Sequence, residues 1–427
     1  MAPGALVKMR RRGGKWGDFA QRFGCYDDAT RAALRALPVE GGRLWIHAVS
    51  VGEVEIAKKI IARLLASCAG CGVVITTTTP TGGALARDFA EKHPGRVVAL
   101  YSPVDLPFVV RRALEAIAPT RLVLVEAEVW PNLVHVASRR SVPVSLVNAR
   151  LSPKSERRYR AFGSLARPVF AMLDQVLVQE AGDVARWAAL GVDGARIRRT
   201  GSVKFDPDGA DTRADEPRVA AFRALLAGMG WTGRAPVMLA ASTHAGEEVE
   251  VAKVFLRMKT GLSDLKLIVV PRHVERSVEV VSELRAIGIE PVLRSALGGG
   301  PGRGSDCVIV DTTGELRAWQ HLASVVVIGK SFLARGGQNP AEALMASKPV
   351  VFGPHMENFQ ALVTLLLGEG GAVGVEGISG LQAACERLLK DEALAAKIAA
   401  DGKAVLTRHE GATRMTVESL VAPVGRD

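Results

Sequence analysis

Hydrophobic residues in this chain come as short unbroken runs, each followed by a longer stretch with apolar positions at helical spacing. In the first half the runs go from Leu44 to Val49, Val73 to Thr78, Val97 to Tyr101, Leu122 to Val125, Val142 to Val147 and Gln175 to Val178. Runs that are apolar on both faces read as strands covered on both sides, and the amphipathic stretches between them (Val54 to Ala66 is the clearest) read as helices. Strand then helix, repeated, predicts a parallel sheet with helices on both faces. The pattern breaks at a polar, Asp- and Pro-rich segment from Asp206 to Pro217, which reads as a linker. It then restarts with runs from Val237 to Ala241, Lys266 to Val270, Cys307 to Val310, Val325 to Ile328 and Val350 to Phe352. The prediction is an α/β chain of two Rossmann-like domains, 1–206 and 207–427, with the final helix able to pack back on the first.

Composition sharpens this picture in three ways. A length of 427 residues, 48% hydrophobic and only 5% aromatic, suits two cores of α/β type better than an all-β sandwich. A net charge of +11 favours acidic partners: nucleic acid, anionic lipid, or a phosphorylated or carboxylated substrate. Five cysteines without a framework suggest a reducing compartment, and the Cys68/Cys71 pair reads as small apolar filler rather than a metal site. No apolar run is long enough to span a bilayer, and the N-terminus lacks a secretory core. Arg10, Arg11, Arg12 and Lys15 read either as a solvated tail or as a patch for an anionic membrane surface.

The chemistry-bearing motifs sit where strands end, which is where open α/β sheets bind ligands. Glu53 follows Gly52 at the start of a helix; the glycine permits a tight turn, and the helix N-terminus favours the ionised carboxylate that a general base needs. Glu126 and Glu128 lie two apart before Trp130-Pro131-Asn132, and one of them is expected to bind or polarise an acceptor hydroxyl. In the second half, Ser242 and Thr243 are placed to cap a helix and touch a phosphate. Arg272-His273 follows the next strand, and the arginine offers a planar fork for phosphate or carboxylate. The run from Asp311 to Leu316, with Thr313 and Gly314, is placed to line a base pocket through its backbone.

The run from Gly329 to Glu342 combines a Gly-rich turn, Gly336-Gly337, with Asn339 as helix cap, Pro340 in the first turn and Glu342 just inside. The turn would hold a phosphate through its N–H groups and the carboxylate a ribose diol. Arg150, Lys154, Arg157, Arg158 and Arg160 form either a solvated face or a docking surface for phosphorylated lipid. Gly228-Met-Gly-Trp-Thr-Gly233 fits a dinucleotide fingerprint by spelling alone. A helix precedes it and a strand follows, so it reads as a helix C-terminal turn and argues against a nicotinamide or flavin enzyme.

Together these runs resemble the bacterial 3-deoxy-D-manno-octulosonic acid (Kdo) transferases that act on lipid A precursors. The matching runs start at His47 (His-Ala-Val-Ser-Val-Gly-Glu), Glu126 (Glu-Ala-Glu-Val-Trp-Pro-Asn), Thr200 (Thr-Gly-Ser-Val-Lys-Phe-Asp), Ala241, Pro271, Asp311, Gly336 and Gly353. The resemblance implies a GT-B fold, two facing Rossmann-like domains with a cleft between them, the acceptor side N-terminal and the donor side C-terminal. It implies CMP-Kdo as donor, inversion at the anomeric carbon, Glu53 as base and Glu128 as a second acidic residue on the acceptor side. Arg272 and the helix N-termini around Ser242 and Gly336 would take the CMP phosphate, Glu342 the ribose, and Asn339 and Asn358 would brace the nucleotide. Ser50, Gly52, Lys204, Arg157 and Arg158 are candidates for the acceptor or its anionic groups. No metal or other cofactor and no nucleic-acid partner is expected. The partners expected are CMP-Kdo, an anionic lipid A precursor and, peripherally, the cytoplasmic face of a bacterial inner membrane.

Three departures from the family pattern stand out: no apolar anchor helix is evident at the start, Ser202 stands where Asn is usual, and Lys330 where Gly is usual. The last two bear on the anion contacts. Two rivals remain: another GT-B enzyme using a UDP-sugar, of the lipid A disaccharide synthase or epimerase kind, and a non-catalytic binder of anionic lipid or nucleic acid.

Overall fold

The structure is a computed structural model that describes residues 16–151, 153–207, 215–297 and 304–422. The basic N-terminal residues Arg10, Arg11, Arg12 and Lys15 lie outside the described residues, as does the side chain of Lys154. Two compact units are present, one of residues up to 206 together with those from 409 onward, the other of residues 207–408. Each is an all-parallel seven-stranded sheet with helices between its strands.

In the first unit the strands are β1 (Arg43–His47), β2 (Gly72–Thr77), β3 (Val97–Tyr101), β4 (Arg121–Val125), β5 (Val144–Ala149), β6 (Gln175–Val178) and β7 (Ile197–Arg199), in the order β3-β2-β1-β4-β5-β6-β7. The direction of winding reverses between β1 and β4. That switch point is where a doubly wound sheet leaves a crevice at its carboxyl edge. One core layer packs Trp45, Leu122, Leu146 and Val176 against Leu133, Phe170 and Trp187. The other packs Ile46, Val73 and Val123 against Ile56, Ile60, Ile61 and Leu64 of the helix Val51–Ser67. The last helix, Ala412–Val421, joins this second layer through Val417 and Leu420. Its N-terminal amides at Gly411 and Thr413 donate to the Asp206 carboxylate at 3.0 and 2.6 Å. Arg121 donates from its guanidinium to the carbonyls of Ser419 and Ala422 at the other end.

In the second unit the strands are β8 (Val237–Thr243), β9 (Lys266–Pro271), β10 (Val292–Leu293), β11 (Cys307–Ile309), β12 (Val325–Ile328), β13 (Val350–Phe352) and β14 (Val373–Gly374), ordered β10-β11-β9-β8-β12-β13-β14. Its switch point lies between β8 and β12, which pair from Val325↔Met238 to Ile328↔Ala241. The Gly228–Gly233 spelling falls at the end of the helix Glu216–Gly228, where Gly230 adopts a φ of 93°.

Two readings change. Cys68 and Cys71, taken as filler, are joined as a disulfide; Cys71 is also fully buried, so it fills the core as well. The bond spans one turn and connects no distant elements. Cys25, Cys307 and Cys385 are free. Ser202, expected to bear on anion contacts, is fully buried, and its N–H donates to His409 Nδ1 at 3.2 Å. This position therefore belongs to the interior of the first unit.

Candidate active site

The first unit gathers three carboxyls at its switch point. Ser50 caps the helix Val51–Ser67, and Glu53, three residues on, folds its carboxylate back onto the cap. The Ser50 hydroxyl donates to Glu53 Oε1 at 2.7 Å and accepts from Glu53 N at 3.3 Å, while Val49 N donates to Glu53 Oε2 at 2.8 Å. Glu53 is only 6% exposed. Burial pushes its carboxyl up to about 7, against the hydrogen bonds from Ser50 and Val49, and the charges of Glu128 and Glu126 push the same way. This corrects the expectation that the helix N-terminus keeps Glu53 readily ionised: desolvation outweighs the dipole. Gly52 is corrected too. It lies in the first helical turn rather than in a tight turn, and a Cβ there would meet only Ser50 Oγ at 3.9 Å.

Glu126 follows β4 in the left-handed region, φ 61°, an uncommon state for a residue with a side chain. Burial raises its carboxyl, opposed by Lys204 and Arg150. Glu128 accepts from Trp130 Nε1 at 2.9 Å, and the Trp130 ring stands edge-on to His47, 4.7 Å between centroids. His47 is fully buried, with its imidazole pushed down to about 4, so it is neutral at physiological pH. Its Nδ1 lies 3.1 Å from Thr76 Oγ1 and 3.2 Å from Ser102 Oγ. Lys204 is set by its neighbours: Asn148 Oδ1 accepts from Val203 N at 2.9 Å, and Lys59 Nζ reaches the carbonyls of Val203 and Lys204. Glu53, Glu126, Glu128, Ser50 and Lys204 thus form one electrostatic group. Arg157 and Arg158 are exposed on the helix Pro153–Ala161 after β5.

The second unit gathers cations at its switch point. Arg272 and His273 are exposed beyond β9, and Arg272 N donates to the Thr243 carbonyl at 3.0 Å. The rings of His244 and His273 stand edge to face, 5.8 Å apart. Burial lowers the His244 pKa, and the charges of Lys330, His273 and Arg272 add to the effect. Gln338 Nε2 lies 3.1 Å from His244 Nε2. Ser242, half-buried, sits at a bulge in β8 with φ 56°.

Several donor-side expectations are corrected because other carboxylates already occupy the groups concerned. Thr243 is 1% exposed, and its hydroxyl donates to Glu248 at 3.0 Å, so it faces inward. The amides after β12 do not wait for an anion: Lys330 N, Ser331 N and Phe332 N donate to Glu247 at 2.6, 3.0 and 3.1 Å. Gly336 N donates to Glu357 at 2.7 Å and Gly337 N to the Lys330 carbonyl at 2.9 Å. Gly336 and Gly337 are glycines for packing: their φ values are 118° and 68°, and a Cβ on Gly337 would lie 2.4 Å from Met356 Sδ.

The helix after this turn begins at Ala341, not at Pro340, and Asn339 Oδ1 accepts from Ala341 N at 3.0 Å. Glu342 is half-buried in its first turn, its carboxyl raised by burial against the charge of Arg317. Asn358 is exposed beside the turn, with its N–H on the Gly336 carbonyl at 3.0 Å. Thr313 and Gly314 are exposed at a loop tip held by Thr312 and Arg294 on Glu315.

Glu247 and Arg150 received no individual role in the sequence reading. The signal for Glu247 was a carboxylate at the start of the helix after the central strand, as at Glu53. Among the described residues no helix is long and apolar enough to cross a membrane, and no group of three or more His, Cys, Asp or Glu is arranged to hold a metal ion.

Residues 17–207 match a family model described as 3-deoxy-D-manno-octulosonic-acid transferase (kdotransferase). A 3-deoxy-D-manno-octulosonic acid transferase of Bordetella pertussis is 34% identical, over 97% of this chain and 94% of its own length. Among solved structures, a UDP-GlcNAc 2-epimerase from Neisseria meningitidis shares the fold at 11% identity, with a TM-score of 0.51 over 88% of this chain and 99% of that one. The C-terminal CMP-Kdo binding domain of WaaA from Acinetobacter baumannii aligns at 26% identity and a TM-score of 0.42, covering 45% of this chain and 98% of that domain. Two parallel-sheet α/β units of this kind make the fold GT-B. By its likeness along almost its whole length to the Bordetella pertussis transferase, the chain belongs to the Kdo transferase family of glycosyltransferases.

Proposed function

We propose that the chain transfers Kdo from CMP-Kdo to a hydroxyl of an anionic lipid A precursor, with inversion and without a metal ion, at the cytoplasmic face of a bacterial inner membrane. The observation that carries this reading is the buried Glu53 carboxyl at the first switch point, poised near neutral pH beside Glu126 and Glu128. A general base works best when its pKa lies near the working pH. The acceptor hydroxyl attacks the anomeric carbon of Kdo, the bond from that carbon to the CMP phosphate oxygen breaks, and Glu53 takes the hydroxyl proton. Its two oxygens each accept one hydrogen bond, which leaves lone pairs for that proton.

The phosphate that departs with CMP carries growing negative charge; Arg272 and Lys330 supply the positive field that stabilises it, and His244, kept neutral by its lowered pKa, can add a hydrogen bond. Protein cations meet this charge, so the step needs no metal. Glu342 and Asn358 are assigned to the nucleoside. Lys204 and Arg150 beside Glu126, with Arg157, Arg158 and the 60% exposed Phe162, suit an acceptor that is phosphorylated and lipidic.

The test is to incubate the protein with CMP-Kdo and a tetra-acylated lipid A precursor and to read the lipid by mass spectrometry, with Glu53→Ala alongside. Kdo added by the native chain and not by the variant is the expected result. No transfer and no CMP binding, with binding of a UDP-sugar instead, would return the donor to the UDP class.

A further inference from the structure

The second unit carries a buried carboxylate that the proposed reaction does not use. Glu247, 1% exposed, starts the helix Glu247–Lys259 and accepts four backbone N–H groups. Its Oε2 takes His244 N at 3.1 Å and Lys330 N at 2.6 Å; its Oε1 takes Ser331 N at 3.0 Å and Phe332 N at 3.1 Å. These donors come from two different strand ends. His244 follows β8, while Lys330, Ser331 and Phe332 follow β12, so one side chain ties the two banks of the switch point together. The banks already touch: a Cβ on Gly329 would lie 2.5 Å from the Ser242 carbonyl oxygen. Ser242 and Lys330 both hold left-handed φ values, 56° and 54°, which side-chain-bearing residues rarely keep without support from their surroundings.

We infer that Glu247 is a positioning residue for the donor phosphate: it fixes the backbones of His244 and Lys330 on opposite banks so that the two side chains meet the phosphate together. The inference rests on the donor assignment proposed above. Its electrostatic sign makes it testable. Glu247 is an anion beside a cluster meant for an anion, and its charge already acts on His244. Judged by charge alone, removing it would tighten phosphate binding. Judged by position, removing it loosens both banks and weakens binding. In Glu247→Gln one oxygen becomes an NH2 group, which faces two N–H donors and accepts from neither. Glu247→Asp keeps the charge but withdraws the carboxylate by one methylene.

The experiment is calorimetric titration of the full chain with CMP, for the native protein, Glu247→Gln, Glu247→Asp and Leu388→Ala. Leu388, buried in the same unit's core, controls for lost stability. Both Glu247 variants are expected to weaken CMP binding by about tenfold or more, the scale of a lost charged hydrogen bond. The KM for CMP-Kdo should rise with them, and kcat should fall as well, because the groups they position also meet the charge that grows on the departing phosphate. Leu388→Ala should lower the melting temperature and leave CMP binding alone. Tighter binding in Glu247→Gln, or unchanged binding with a lower melting temperature, would overturn the inference. If Glu247→Gln does not fold, Glu247→Asp decides, because its charge is intact. If the native chain binds UDP and not CMP, the donor reading fails separately, and the same variants titrated with UDP judge the positioning role.

Discussion

Glu53 and Glu247 occupy equivalent places in their units, near the start of the helix that follows the strand on one side of the switch point. Their surroundings make them opposites. Glu247 receives four backbone N–H groups, which satisfy it as an internal anion. Glu53 receives one N–H and one hydroxyl, has two carboxyls for neighbours, and is pushed up to about 7. Place in the fold puts a carboxylate at the crevice; the number of donors aimed at it decides between a clamp and a base. The flanking groups follow the same division, acidic around Glu53 and cationic around His244.

The largest effect expected from breaking this contrast is at Glu53. Glu53→Gln should reduce kcat by about 10²–10⁴, the usual contribution of a general base, because the amide cannot accept the proton. Its stability should move the other way. The folded carboxyl titrates at about 7 against an ordinary 4.5, so ionising it in the folded state costs on the order of 3 kcal/mol as an upper bound. The folded pKa is the higher one, so this part of the stability is complete below pH 4.5 and is lost as pH rises towards 7. Gln keeps an oxygen to accept from the Val49 N–H, can donate its NH2 to the Ser50 hydroxyl, and carries no charge. Thermal unfolding at pH 8 should therefore show the variant at least as stable as the native chain, while native kcat/KM climbs with pH through about 7. A variant both inactive and clearly destabilised at pH 8 would mark Glu53 as a cap alone.

That contrast also separates what was legible in the sequence from what was not. Strand ends were legible because parallel strands announce themselves locally as unbroken apolar runs, and β3 and β6 fall where those runs begin and end. β7 was not: it is a three-residue edge strand, and two of the three are Arg198 and Arg199. β10 and β14 have two residues each, too short for any periodicity. The candidates around Glu53, Glu126 and Glu128 could be found from spacing, since each follows its strand directly. Which carboxylate satisfies which amide depends on contacts across the sheet. Glu247 lies 83 positions from Lys330, and Glu357 lies 21 from Gly336. A Gly-rich turn therefore looked like a phosphate cradle while its amides were already taken. The pKa of Glu53 is hidden for the same reason: helix position predicts a lowered value, and burial, which reverses it, is a property of the fold.

A smaller effect sharpens the Glu53 side. Ser50→Ala removes the helix cap and the hydroxyl that donates to Glu53 Oε1. Loss of such a cap costs about 1 kcal/mol, readable as a modest drop in the denaturant midpoint at constant m-value. The hydroxyl also holds the Glu53 carboxyl down, so its removal should move the acidic limb of the pH–rate profile to higher pH. Destabilisation without that movement would mean that the proton leaving in the profile is not the Glu53 proton.

The smallest effect, and the finest test of the comparison, is at Lys330. Its φ of 54° lies in the region that suits glycine. Lys330→Gly relieves a left-handed strain of about 1–2 kcal/mol but costs about 0.5–1 kcal/mol of chain entropy, so unfolding should shift little. The backbone N–H that donates to Glu247 survives the substitution, and only the ammonium is lost. CMP binding should weaken, but by less than in Glu247→Gln, which keeps the ammonium and lets both banks move. If Lys330→Gly proves the more damaging, charge outweighs geometry at the second switch point. The two glutamates would then differ only in what surrounds them, and not in one of them holding the site in shape.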